Sequence, residues 1–167
     1  MRAVIVLLAG VVGAVGQGSA PSFSQYRTTE AAYKGVPVEP VLKTAEDRRF
    51  RTMIRTGAAH GPNFAGHFTV VEWGCGGGCV SLVVVDAATG EIHRAPFKSL
   101  AWQLGKYEGK YKSNDDKFEQ LAYKLDSRLL VARGCLDDSE KCASYFWEWT
   151  GTQFKLIKTI PAEVIPE

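Results

Sequence analysis

Apolar and small residues run together from Ala3 to Val15, recur at helical spacing between Ala45 and Ala58, and from His67 onward take the forms expected of β-strands. Each change of period predicts a different element. The first run, AVIVLLAGVVGAV, is preceded only by Arg2 and followed by small residues ending in Gly18-Ser19-Ala20, which is the pattern of a signal peptide. It is shorter than the roughly 20 apolar residues that span a bilayer comfortably, and polar sequence follows at once. Removal of residues 1–20 is therefore expected, with no membrane insertion afterwards. Residues 21–167 then fit one domain by the usual length of about 100 to 200 residues.

Pro21 to Lys43 is polar, and Pro37 and Pro40 exclude a helix through it. It reads as an extended arm over 21–43, with one edge strand around Val36 to Val41. Thr44 followed by Asp47 is a capping box with Asp in place of Glu or Gln. Phe50, Met53, Ile54 and Ala58 then recur on one face while Arg48, Arg49, Arg51 and Arg55 fill the other, predicting one amphipathic helix within 44–60. Beyond Pro62 the chain is β-rich to about residue 160. His67 to Trp73 is one predicted strand, and the near-continuous apolar run CVSLVVV from Cys79 to Val85 is a second, covered on both faces. The Thr44–Ala58 helix is the natural cover for one of them. Asp86 to Gly90 is a tight turn leading to a partner strand over Glu91 to Phe97. Glu119 to Leu125 pairs with Arg128 to Arg133, and Ala143 to Trp149 with Gln153 to Ile160.

Two parts of the chain share an order of events. A strand ends in Gly74-Cys75 and Cys79 opens the next, with a Thr89-Gly90 turn after it; a later strand ends in Gly134-Cys135 and Cys142 opens the next, with Thr150-Gly151 after it. The two read as related three-stranded meanders, each stapled at one corner, although generic hairpin chemistry also supplies Gly and Thr at turns. On that correspondence Cys75 pairs with Cys79 and Cys135 with Cys142. Four residues of extended chain would hold two Cα atoms about 13 Å apart, whereas a disulfide needs roughly 4.4 to 6.8 Å. Gly76, Gly77 and Gly78 permit the reversal this demands. Four cysteines allow three connectivities, and a long-range pairing such as Cys75 with Cys135 stays open.

Composition narrows the chemistry. The net charge is +2, and losing Arg2 with the leader lowers it by one, so nothing calls for nucleic acid or another polyanion. An even cysteine count in an exported chain reads as disulfides. The C-x3-C and C-x6-C spacings, with His60 and His67 nearby, match zinc sites poorly, so no metal and no cofactor are expected. There is no G-x-S-x-G elbow, no H-E-x-x-H and no Walker loop. The Gly74 to Gly78 loop lacks the Gly-Lys-Ser/Thr ending of a nucleotide site and leads into a strand instead of a helix. Asn63 and His67 read either as a ligand-facing pair or, more simply, as a turn cap and a histidine bonded to a backbone carbonyl. Asp86 is a turn residue that, with Glu72, is the best acid candidate should hydrolysis be involved. Trp102, Tyr107 and Tyr111 stand among Lys98, Lys106, Lys110 and Lys112, where aromatic faces between cations suit a sugar polymer or an acidic protein patch, or simply a solvated loop. The Tyr145 to Trp149 run, YFWEW, reads as core on one face.

The segments GPNFAGH, WGCGGGC and VDAATG, together with DSRLLVARGC and YFWEW, resemble a family of uncharacterised exported bacterial proteins. The resemblance covers roughly Phe50 to Ile160. It implies export and a shared fold, and carries no activity, ligand or catalytic residue with it.

The expectation is an α+β domain, a mostly antiparallel sheet of about six to eight strands in two Cys-stapled meanders with one N-terminal amphipathic helix, exported to the periplasm or beyond. The leading function is a binding or inhibitor-like protein of the cell envelope, presenting Asn63, His67 and Trp73, or the Trp102, Tyr107 and Tyr111 segment, to a protein or cell-wall glycan. The alternative is a hydrolase-like enzyme acting on envelope material, with His67 as base and Glu72 or Asp86 as acid.

Overall fold

A computed structural model describes residues 19–101, 119–139 and 141–162. The apolar run from Ala3 to Val15 and Trp102, Tyr107 and Tyr111 lie outside those residues. Eight antiparallel strands form one sheet with the path β1-β2-β4-β6-β7-β8, where β3 pairs with β2 and β5 with β6. Their ranges are β1 Phe68–Gly76, β2 Cys79–Asp86, β3 Ile92–Arg94, β4 Leu100–Ala101, β5 Leu121–Ala122, β6 Leu129–Leu136, β7 Cys142–Trp149 and β8 Phe154–Pro161. The two meanders are β1-β2-β3 and β6-β7-β8, as the repeated order of turns implied. Only the two residues of β4 join them among the described strands: Leu100 pairs with Val80 and Leu136, and Ala101 with Cys79 and Cys135.

That junction explains a glycine. Gly134 has a φ of 145°, and a Cβ there would lie 2.5 Å from the Ala101 carbonyl oxygen, so the close passage of β4 over β6 requires a residue without a side chain. The disulfides are Cys75–Cys79 and Cys135–Cys142, with Cα atoms 5.1 and 4.0 Å apart, which settles the connectivity as the within-corner one. The register carries Cys79, Ala101, Cys135 and Cys142 across neighbouring strands, so both staples lie in one row at the same end of the sheet.

Both faces of the sheet are covered, as the CVSLVVV run predicted. On one face Phe68, Val70, Leu82, Val84, Leu100, Leu130, Trp147 and Trp149 enclose Phe64, which is fully buried. On the other face of β1 and β2, Val71, Trp73, Val83 and Val85 receive Ile54 and Ala58 from the helix. The helix is two consecutive pieces, α1 Ala45–Arg49 and α2 Arg51–Ala58, meeting at Phe50 (φ −100°, ψ 17°). Hydrogen bonds from Phe50 N–H to Glu46 and from Ile54 N–H to Phe50 continue through the joint, while the Phe50 ring stacks on Trp73 at 4.9 Å. The Thr44 capping box forms as predicted: Asp47 N–H donates to Thr44 Oγ1 (3.0 Å) and Thr44 N–H to Asp47 Oδ2 (2.7 Å). A 3₁₀ turn at Phe23–Tyr26 covers Leu129, Val131 and Phe146 on the far face of β6 and β7.

Three expectations change. Val36 to Val41 is not a strand, because Pro37 and Pro40 have no N–H to give a ladder. Instead Val38 and Val41 donate to Ala87 and Gly90, hanging the arm on the β2–β3 turn. The partner strand expected over Glu91 to Phe97 is only Ile92–Arg94, ending ahead of Pro96. The strand expected over Glu119 to Leu125 is only Leu121–Ala122, since the Lys124 and Leu125 carbonyls turn away to accept from Ala65 and Gly66.

Candidate functional site

Residues 61–67 fold into a plug at the edge of β1. Gly61 and Gly66 take φ values of 84° and 88°, and Ala65 joins them at 45°, which turns Phe64 inward. Phe64 exchanges backbone hydrogen bonds with Phe68. Asn63 supplies the next rung with its side chain: Oδ1 accepts from Val70 N–H (2.7 Å) and Nδ2 donates to the Val70 carbonyl (3.1 Å). An asparagine amide has the donor and acceptor of a peptide unit, and here it replaces one. Asn63 is therefore bound to its own sheet and is no ligand-facing group.

His67 leaves this loop between two carboxylates. Nδ1 lies 2.5 Å from Glu30 Oε2 and Nε2 lies 3.7 Å from Asp86 Oδ2, with the ring against Phe68. The histidine thus ties the N-terminal arm to the β2–β3 turn, a contact reinforced by Tyr33 N–H donating to Gly66. The expected bond to a backbone carbonyl is replaced by this pair of carboxylates. Asp86 itself builds the turn, its Oδ1 accepting from Ala88 (2.8 Å) and Thr89 (3.3 Å) N–H. Gly90 completes it at φ 75°.

Glu72 stands elsewhere, four residues beyond Phe68 along β1 and so about 13 Å away at the usual strand rise. It accepts from the Tyr123 hydroxyl (2.6 Å) at the wall of a notch of about 410 Å³ lined by Glu72, Val80, Glu119, Gln120, Leu121 and Tyr123. Burial, with the Glu72 carboxylate adding to it, pushes the Tyr123 phenol far above its ordinary range. At neutral pH it is a proton donor held by Glu72 and no base. Gln120 fixes the floor, its amide donating to the carbonyls of Gly78 (3.2 Å) and Leu100 (2.9 Å), so the disulfide loop is tied to the junction strand.

The hydrolytic constellation thus divides: His67 meets Asp86 and Glu30, while Glu72 meets Tyr123. Trp73, expected to face a partner, is 8 % exposed and packs on Phe50. It lines a second cleft, of about 430 Å³, beside Phe97, Lys98, Asp137 and Arg94. Arg94 is already committed there to Thr44, Glu46 and Asp47. All four cysteines are paired, so no thiol serves as nucleophile or metal ligand. Two closed disulfides are the chemistry of an oxidising, extracytoplasmic environment. No helix among the described residues is long and apolar enough to cross a membrane.

No protein-family model, curated protein or solved structure matches this chain. Glu30, Glu119, Gln120 and Tyr123 were not singled out by sequence reasoning, because their partners lie far along the chain and no spacing rule links them.

Proposed function

We propose that this is a non-catalytic binding protein of the cell envelope, periplasmic or secreted, which engages a protein partner through the acidic notch at Glu72, Glu119 and Tyr123. The observation that carries the reading is the way the acid–base candidates are already engaged: His67 and Asp86 do meet, but Glu30 occupies the other nitrogen of the ring and the turn amides occupy Asp86, while Glu72 stands apart on Tyr123. A hydrolase needs base and acid converging on one bound group, whereas the His67–Asp86 pair joins the arm to the β2–β3 turn and lines neither the notch nor the second cleft. The notch suits recognition instead: two carboxylates at its rim, walls fixed by the Cys75–Cys79 ring and Gln120, and an aromatic side wall. Carboxylates flanking an aromatic ring favour a cationic group on the partner.

The test immobilises the oxidised chain and its Glu72→Lys/Glu119→Lys double variant against solubilised envelope protein. A species retained by the native chain and lost from the double variant supports the reading. Turnover of envelope material by the native chain that disappears in His67→Ala would overturn it in favour of the enzyme.

A further inference from the structure

We propose that the outer edge of β1 from Glu72 to Gly74 accepts an extended peptide strand carrying a lysine or arginine opposite Glu72. The inference rests on the binding reading and gives the partner's contact segment a conformation and a charge.

It begins with the peptide groups of β1. In an antiparallel pair, alternate residues point their N–H and C=O toward the partner strand and the remainder point away. Asp86, paired with Phe68, sends its own N–H and C=O to Glu91 and Gly90 on the β3 side, so Phe68 and the residues in step with it face away from β2. Those residues are Phe68, Val70, Glu72 and Gly74. The Phe64 backbone and Asn63 satisfy Phe68, and the Asn63 side chain satisfies Val70. There the surrogate strand ends. Among the described residues no hydrogen bond reaches the main-chain groups of Glu72 and Gly74, and both residues are exposed.

The two edges of the sheet are not treated alike. β8 carries Lys155 and Lys158 and ends in Pro161, the residues that discourage strand pairing. β1 carries glycine where β8 carries lysine. A Cβ on Gly74 would meet only the Cys79 carbonyl, at 4.0 Å, and on Gly76 or Gly77 nothing within 4 Å, so these glycines add no bulk of their own to the edge and no neighbouring atom crowds them there. The Cys75–Cys79 ring closes the end of the strand just beyond Gly74, where the register with β2 shifts between Gly74 and Gly76. An added strand would make up to four main-chain hydrogen bonds with Glu72 and Gly74, the mode by which exposed sheet edges capture peptides. Its residue opposite Glu72 would project to the notch side, within the 4.5 to 5.5 Å of a cross-strand pair, where Glu119 adds a second carboxylate.

The probe is a synthetic ten-residue peptide of alternating threonine and valine with one central lysine, added to the oxidised full chain while residue-resolved amide exchange is followed. The Glu72 and Gly74 amides exchange rapidly in the free protein and slow at least about tenfold with the probe. N-methylation of the probe beside its lysine removes the slowing, and Glu72→Lys weakens binding about fivefold or more at low salt, where like charges then face each other. Protection of those two amides in the free protein, or protection that ignores N-methylation, overturns the proposal. An envelope partner held equally by native chain and Glu72→Lys, with exchange at 72 and 74 unchanged, overturns the edge while leaving the binding reading standing.

Discussion

Replacing Asp47 by alanine removes the contact that fixes the helix pair to the sheet. The carboxylate is 2 % exposed, receives the Thr44 N–H, and pairs with the Arg94 guanidinium brought to it by β3. Arg94 also donates to Thr44 Oγ1 (2.7 Å) and lies 3.4 Å from Glu46. Loss of the carboxylate arm of the capping box costs about 1 kcal/mol, the bond from the residue 47 N–H to Thr44 Oγ1 being kept, and loss of the charge-assisted bond with Arg94 about 2 kcal/mol more. The sum, about 3 kcal/mol, corresponds to a fall in Tm of roughly 6 to 12 °C for a domain of this size. Burial alone would raise the Asp47 carboxyl, but the Thr44 N–H and hydroxyl together with Arg94 outweigh it and hold it below the ordinary carboxylate value. A carboxyl depressed in the folded state stabilises above its unfolded value and loses that contribution as pH falls through the folded one. Urea unfolding of native chain and Asp47→Asn should therefore show a gap at pH 7 that narrows progressively below about pH 4. A gap under about 0.5 kcal/mol for Asp47→Ala at pH 7, or one for Asp47→Asn that stays constant into acid, would refute the assignment.

Gly57→Ala should destabilise although alanine is the better helix former by about 1 kcal/mol. Its Cβ would lie 2.4 Å from Val71 Cγ1, and pairing it with Val71→Ala should recover much of the loss in thermal melts. Thr69→Val should match or exceed native stability, by up to about 1 kcal/mol in urea, because the buried Thr69 hydroxyl has no partner among the described residues. Reduction of both disulfides should cost about 4.5 kcal/mol together, each small ring contributing roughly 2 to 2.5; comparing melts with and without dithiothreitol checks it, and unchanged melts would mean the rings are not closed in solution.

Local chemistry was legible in the sequence wherever cause and effect lie within a few residues. The Thr44–Asp47 capping box, the Asp86–Gly90 turn, the doubly covered Cys79–Val85 strand and the corner cysteines all formed from neighbours. What escaped was set by distant partners. Nothing near Asp47 announces that Arg94 will neutralise it 47 residues later, and nothing near Glu72 announces Tyr123. Asn63 was recognised as structural or ligand-facing, yet its use as a substitute peptide unit depends on where Val70 lies in the sheet. His67 is a base candidate by residue type alone, while its place in the fold follows from Glu30 in an arm whose sequence carries no periodic signal. The two-residue β4 strand is below the length at which any pattern is detectable.

The placement of both cross-links inside single hairpins bears on how the oxidised chain is made. Cys75 and Cys79 are four residues apart and Cys135 and Cys142 seven, while the members of different pairs are far more distant along the chain, so each thiol encounters its hairpin mate most often. Short-loop closure thereby favours this one of the three possible connectivities over the two that would bridge the meanders.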